Sequence, residues 1–224
     1  MKIPKTEELF DISHTLAKPL LEREEHAFHV LPMIRDFIKE MGRTLDKGEY
    51  ERISDEVWIA RSAMVASEAH IHAPAIIGHE TEVRYGAFIR GAALIGDGCV
   101  IGNSTEVKNA IIFDGVEIPH YNYVGDSILG YRSHMGAGAI ASNFKLDHTN
   151  INLKDGDEFL KTGLRKFGVL LGDFAQIGCN SVLFPGTIIG RRTLVYPTSK
   201  VRGIIPECHI YKDEGRIVKM ENGD

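Results

Sequence analysis

The sequence predicts an all-β chain wound as a parallel β-helix, with a helical N-terminal cap and a protruding hairpin arm. Three observations predict it. First, an aliphatic anchor returns every six positions as Ile59, Val65, Ile71, Ile77, Val83, Ile89, Ile95, Ile101 and Val107, and again from Leu171 to Val201. A period of six fits neither a helix nor a simple alternating strand, but it is the period of hexapeptide solenoids, in which each hexad makes one short strand and one corner. Second, from Val65 onward the residue two before the anchor in both series is small, as at Ala63, Ala69, Ala75, Thr81, Ala87, Ala93, Cys99, Thr105 and Ala175, and only Val169 departs from this. Third, the register between the two series slips to steps of five or six through Ile112, Ile118, Val124, Leu129, Met135 and Ala141, yet survives. That gives twenty-one anchors, or seven triangular coils of three hexads. Their strands would lie about 4.8 Å apart and pair in parallel along three flat faces. Glycine often follows the anchor, as at Gly78, Gly96 and Gly102, where it is expected to relieve backbone strain at a corner.

Residues 1–56 lack the hexads and read as helical, with Leu31, Ile34, Phe37, Ile38 and Met41 at helical spacing and Pro32 suited to a first turn. Their expected task is to cover an open end of the solenoid, where core and strand edges would otherwise be bare. The β-helix is assigned to 57–205. Within it the charged stretch 144–167 carries Asp155-Gly156 between apolar runs and reads as a hairpin arm. Residues 206–224 read as a C-terminal hairpin turning at Asp213-Glu214-Gly215.

A net charge of −5 and a pI near 6.1 argue against a nucleic-acid or membrane-surface partner recruited by bulk charge. Cys99, Cys179 and Cys208 are odd in number and match no zinc or redox spacing, so a reducing cytoplasm is the simplest setting. No apolar run reaches transmembrane length and the N-terminus does not read as a signal peptide, which predicts a soluble, cytoplasmic protein.

One coil is eighteen residues, so side chains eighteen apart stack on one edge of the prism. His72, Arg90 and Lys108 form such a column. Two cations about 5 Å apart repel by roughly 1 kcal/mol even at the dielectric of water. A bound phosphate would remove that cost; solvated charges bridged by Glu106 are the competing reading. His120, Tyr121 and Tyr123 follow within about one coil of Glu106 and Lys108, and a histidine, whose side chain ordinarily titrates near neutrality, suits general-base work as well as an ordinary polar surface.

The run Arg90 to Asn143, with Lys166 to Val201, resembles the acetyltransferase domain of bifunctional N-acetylglucosamine-1-phosphate uridyltransferase/glucosamine-1-phosphate acetyltransferases. Through the arm and TGLRKFGVLLGD it is also similar to the C-terminal β-helix of sugar-1-phosphate nucleotidyltransferases. The resemblance implies a left-handed helix, a homotrimer with clefts between prisms, and acetyl-CoA as co-substrate. It implies that Arg90 and Lys108 hold a sugar phosphate, that His120 is the catalytic base, that Tyr123 contacts the sugar, and that Asn143 lies between sugar and acetyl-CoA. Lys166 matches a lysine reaching a neighbouring subunit's phosphate, and Ala137, Phe144 and Cys179 fall on the acetyl-CoA side. His134 stands at a sugar-binding position where the family has asparagine, Phe144 replaces a tyrosine, and Cys179 replaces a serine. The implied function is acetyl-CoA-dependent N-acetylation of an amino-sugar phosphate such as glucosamine 1-phosphate, or of a related nucleotide amino sugar, in UDP-N-acetylglucosamine biosynthesis.

The glycine-rich phosphate loop of a nucleotidyltransferase has no counterpart here, since residues 1–56 hold only Gly42 and Gly48. A complete nucleotidyltransferase domain is therefore not expected, which leaves room for a separate nucleotidyltransferase as partner. Two other readings stay open. A non-catalytic β-helix scaffold or sugar-nucleotide-binding protein would keep the cleft and lose turnover. A zinc enzyme like the γ-type carbonic anhydrases would need paired histidines five apart, but Gly125 and Ala139 occupy those positions after His120 and His134, so no metal is expected.

Overall fold

A computed structural model describes residues 2–212 and 215–221. The chain folds as a left-handed parallel β-helix, a triangular prism whose faces recur coil by coil. Its first face carries strands at 57–60, 75–77, 93–95, 110–112, 127–129, 169–171, 187–189 and 204–205. The second carries 64–65, 82–83, 100–103, 117–120, 134–135, 176–177, 194–195 and 209–211. The third carries 70–71, 88–89, 106–107, 123–124, 140–141, 182–183 and 200–201. Register is parallel throughout the coils, for example Ile76↔Leu94, Leu94↔Ile111 and Ile111↔Ile128.

The anchors point inward and are almost fully buried from Ile77 onward. The small column explains itself chemically, because its hydroxyls find backbone acceptors inside the prism: Thr81 Oγ1 donates to Gly96 O at 2.7 Å and Thr105 Oγ1 to Ile118 O at 3.1 Å. Cys99 shares this fate, with Sγ 3.0 Å from Phe113 O.

Corner conformation differs from expectation. The left-handed residue stands three positions after the anchor and is often not glycine, as at Glu80, Ala92, Ser104, Tyr121 and Arg132. The glycine directly after the anchor serves close approach instead: a Cβ on Gly102 would stand 1.6 Å from Pro119 O of the next coil.

At two corners between the third and first faces the chain saves one residue, with left-handed Asn109 and Asp126. Strands Glu106–Ile112 and Tyr123–Leu129 therefore run unbroken across both faces. This is the register slip seen in the sequence.

Most of the N-terminal segment lies along the first face and not over an end of the prism; only Tyr50–Ser54, a strand where helix is expected, pairs antiparallel with Val57–Ala60 and covers the free edge of the first coil. Ile34–Thr44, a helix, packs on the strands at 75–77, 93–95 and 106–112, and the 3-10 segment Ala27–Met33 packs on Tyr123–Leu129. The reason is legible in side chains that point outward from that face. Ile76, Leu94, Ile111, Ile128, Leu170 and Ile188 are all aliphatic and buried, and each contributes about 1.5–3 kcal/mol by burial. The other faces mix polar and apolar residues at the same position, among them Glu82, Glu117, His134 and Gln176 on the second and His70, Glu106 and Lys200 on the third, so neither presents an unbroken aliphatic stripe.

The cover is fastened by Phe10 against Phe113, by Phe28 against Phe167, and by Asp173. That carboxylate is 3% exposed as a residue and accepts from Asp11 N at 2.7 Å and Tyr131 N at 2.9 Å. Arg191 Nε lies 3.3 Å from it without hydrogen-bond alignment.

The arm is a two-stranded hairpin, Asn152–Asp155 against Glu158–Lys161, with left-handed Gly156 in its turn. Ile151 and Leu153 at its base are buried against the Gly186 corner. At the other end of the prism His209–Tyr211 adds a further strand to the second face and pairs antiparallel with Ile217–Lys219. The expected turn residues Asp213 and Glu214 lie outside the described residues.

Candidate functional site

Arg90 and Lys108 stack on one edge of the prism, because Ile89 pairs with Val107 and Arg90 N donates to Val107 O. Both cations already have carboxylate partners. Arg90 Nη1 is 2.6 Å from Glu106 Oε1, and Lys108 Nζ is 3.3 Å from Asp126 Oδ2. Neither cation is therefore bare, and no anion is needed to relieve their repulsion; Glu106 pairs with Arg90 alone and does not bridge to Lys108, whose partner is Asp126. The two pairs differ in setting. Glu106 is partly exposed, whereas the Asp126 side chain is 8% exposed. Asp126 also accepts from Asn109 Nδ2 at 2.9 Å and from Asn143 Nδ2.

Asn143 stands one coil beyond Asp126, since Ala141 pairs with Val124. Asp126 can only accept, so the side-chain amide must turn its nitrogen toward the carboxylate and its oxygen away. Tyr123, first residue of the strand Tyr123–Leu129, leans over Gly125 and brings its hydroxyl beside the same amide. Burial, then the charges of Asp126 and Glu106, push the Tyr123 phenol up from its ordinary value, so it stays protonated near neutrality. Lys166 precedes the point where the chain returns from the arm to this edge, with Phe167 N donating to Asn143 O and Gly168 N to Asp126 O. It is exposed and has no carboxylate partner among the described residues.

His120 occupies the other edge of the third face, at the end of strand Glu117–His120. Its corner is held by Asn122, whose Oδ1 accepts from His120 N at 3.0 Å and whose Nδ2 donates to Gly136 O and Ala139 O. The ring is exposed and has no hydrogen-bond or ion-pair partner among the described residues. Gly125, the position paired with Lys108, stands five steps along the chain from His120, so at most about 17 Å of strand lies between the two edges. Tyr123 lies between them. The third face thus presents an imidazole on one margin, cations on the other and a phenol in the middle. His72 caps the cation column but rests edge-on against Phe88.

Residues 71–156 match the GMPPB C-terminal domain family. The chain is 33% identical over 137 residues to the bifunctional protein GlmU of Methanococcus vannielii, an alignment covering 61% of this chain and 33% of that protein. It is 31% identical over 150 residues to a bifunctional sugar-1-phosphate nucleotidylyltransferase/acetyltransferase of Sulfurisphaera tokodaii, covering 67% of this chain and 37% of that protein. The chain carries a hexapeptide-repeat β-helix of the acetyltransferase-like type. It spans about a third of the length of these curated relatives. A solved acetyltransferase domain of PglB from Neisseria gonorrhoeae, in complex with acetyl coenzyme A, is 16% identical with a TM-score of 0.34, covering 68% of this chain and 52% of that one; a likeness so distant carries no argument.

Within this acetyltransferase-like β-helix, Ala137 and Cys179 follow His120 along its own edge, with Gly138 N donating to His120 O and Asn180 N to Ala137 O. Cys179 is exposed. His134 is on the second face, beyond that edge, where Nδ1 is 3.0 Å from Glu117 Oε2. Phe144 sits at the foot of the arm, edge-on to His148 with the Arg165 guanidinium 5.8 Å from its ring. His134 is thus set apart from the Arg90–Lys108 edge, whereas Phe144 directly follows Asn143 on it. Among the described residues no group of three or more His, Cys, Asp or Glu could hold a metal, and no helix is long and apolar enough to cross a membrane.

Sequence reasoning missed Asp126 and Asn109. The signal was present, since Asp126 is eighteen residues beyond Lys108. The one-residue saving at Asn109 shifts the register so that Gly125 pairs with Lys108 and Asp126 turns beneath it.

Proposed function

We propose that the chain is an acetyl-CoA-dependent N-acetyltransferase acting on a phosphorylated or nucleotide-linked amino sugar. The observation that carries this reading is the third face itself, with Arg90 and Lys108 stacked on one margin, His120 unpartnered on the other, and Tyr123 between. An amino sugar lying across Tyr123, with its phosphate at the cation edge, would direct its amine toward His120. Lys108 keeps N–H donors beyond the one given to Asp126, and Lys166 adds a cation with no carboxylate of its own. Anchoring at the phosphate makes attack on the thioester effectively unimolecular.

In that complex the neutral amine nitrogen attacks the thioester carbonyl, and His120 takes the proton that this nitrogen sheds once bonded to carbon. The C–N bond forms, the C–S bond breaks, and the proton passes on to the departing thiolate. Asn143 offers one amide N–H to Asp126, so backbone N–H groups are the better oxyanion donors. Acetyl-CoA would run along the edge of Ala137 and Cys179. The reading includes a homotrimer, which would bring Lys166 of one copy toward the cleft of the next, and a cytoplasmic setting.

The test is thiol release from acetyl-CoA with glucosamine 1-phosphate, galactosamine 1-phosphate and their nucleotide derivatives. One acceptor should accelerate release, and His120→Ala should lower kcat by roughly 10²–10⁴-fold. Release that no acceptor stimulates, or that is equal in His120→Ala, ends the enzyme reading.

A further inference from the structure

We infer that Asp126 is the positioning residue of this site, holding Lys108 and Asn143 in working orientation, a gain that outweighs the repulsion its own charge exerts on an anion; the inference rests on the reading just given. The carboxylate is nearly enclosed, and each of its contacts belongs to a different part of the cleft. Lys108 Nζ approaches Oδ2 at 3.3 Å, Asn143 Nδ2 approaches the same oxygen, and Asn109 Nδ2 approaches Oδ1 at 2.9 Å. Its backbone oxygen receives Gly168 N at 2.7 Å, where the arm rejoins the coil, and Asn109 reaches on to Leu31 O in the N-terminal cover.

The geometry separates two roles that a carboxylate beside a phosphate site could play. As a bare charge, Asp126 opposes an anion, as Glu106 does beside Arg90. As a fixed acceptor, it orients two groups that would otherwise turn freely. Lysine has a long flexible stem, and an ammonium held at one N–H by a buried acceptor aims its remaining donors outward. For Asn143 the constraint is stricter: an acceptor-only partner dictates which end of the amide faces the cleft. Asn143 therefore presents a carbonyl oxygen, suited to accept an N–H from the sugar amine or from an amide of the acyl carrier.

The two roles predict opposite signs for one substitution, which makes the proposal testable with inorganic phosphate alone. Glu106→Gln and Asp126→Asn each remove one negative charge from the same edge. Calorimetric titration of the full chain with phosphate is expected to show about threefold or more tighter binding for Glu106→Gln and weaker binding for Asp126→Asn. In turnover, Glu106→Gln should lower KM for the sugar phosphate, whereas Asp126→Asn should lower kcat at least tenfold in spite of the favourable charge. Asp126→Glu keeps the charge but displaces the carboxylate by about one methylene, and it serves if the asparagine variant fails to fold by circular dichroism. Positioning predicts weaker phosphate binding and lower kcat there too. Should Asp126→Asn tighten phosphate as Glu106→Gln does, or Asp126→Glu match the wild type, Asp126 only neutralises and the inference is overturned while the acetyltransferase reading stands. If the unaltered protein neither binds phosphate nor transfers acetyl, that reading falls and takes this one with it.

Discussion

Replacing Asp173 with alanine tests how the N-terminal segment is held to the first face. The carboxylate accepts from Asp11 N and Tyr131 N, at 2.7 and 2.9 Å, and lies beside Arg191. Its removal leaves two part-buried N–H groups unsatisfied, at about 1–3 kcal/mol each. Part of that returns, because burial pushes the Asp173 carboxyl up and its charge is held at a cost. A net loss of about 2–4 kcal/mol follows, which for a chain of this size shifts Tm down by roughly 4–16 °C. Differential scanning calorimetry gives the shift, and hydrogen exchange locates it: amides of residues 9–14 should lose protection first. The pH dependence has a definite sign. A carboxyl with a raised folded pKa binds more protons in the native state, so its contribution makes stability fall as pH rises from the unfolded value of 3.8 through the folded one. Asp173→Ala should flatten that slope, and the Asp114 carboxyl, also pushed up by burial, should keep a remainder of it. An unchanged Tm with intact protection at residues 9–14 would refute the reasoning.

Other substitutions probe the prism and its edges. Gly102→Ala places a methyl 1.6 Å from Pro119 O, so it should prevent the coil carrying His120 from closing, seen as loss of soluble folded protein or a Tm drop beyond that of Asp173→Ala. Leu94→Ala removes a fully buried contact between the first face and its cover and should cost about 2–5 kcal/mol in chemical denaturation. Burial pushes the Cys99 thiol up to about 12, so a thiol-reactive reagent should modify the exposed Cys179 of the native protein quickly, the half-buried Cys208 more slowly and Cys99 only after unfolding. Rapid reaction at Cys99 would contradict its place in the core.

The hexads made the prism legible because their period is geometric: each anchor that reads as aliphatic in the sequence also points inward. The arm was legible from Asp155-Gly156 between apolar runs. The place of the N-terminal segment was not, although its signal was available in Ile76, Leu94, Ile111, Ile128, Leu170 and Ile188. These stand directly before anchors, and beside an anchor any apolar residue reads as more of the same strand until every third hexad is compared. At the site, Arg90 over Lys108 followed from counting eighteens. What counting could not supply was charge balance, since Glu106 and Asp126 meet the cations through side-chain reach and a shortened corner. Spacing gives edges, but it does not give which way an amide turns, and the orientation of Asn143 is set by Asp126 alone.

One side of the prism is occupied by the chain's own first residues, through aliphatic contact from Ile76 to Ile188. The two sides that this segment leaves uncovered meet along the ridge that carries His120, Ala137 and Cys179, so the segment that shields one wall leaves the flanks of that ridge free of it.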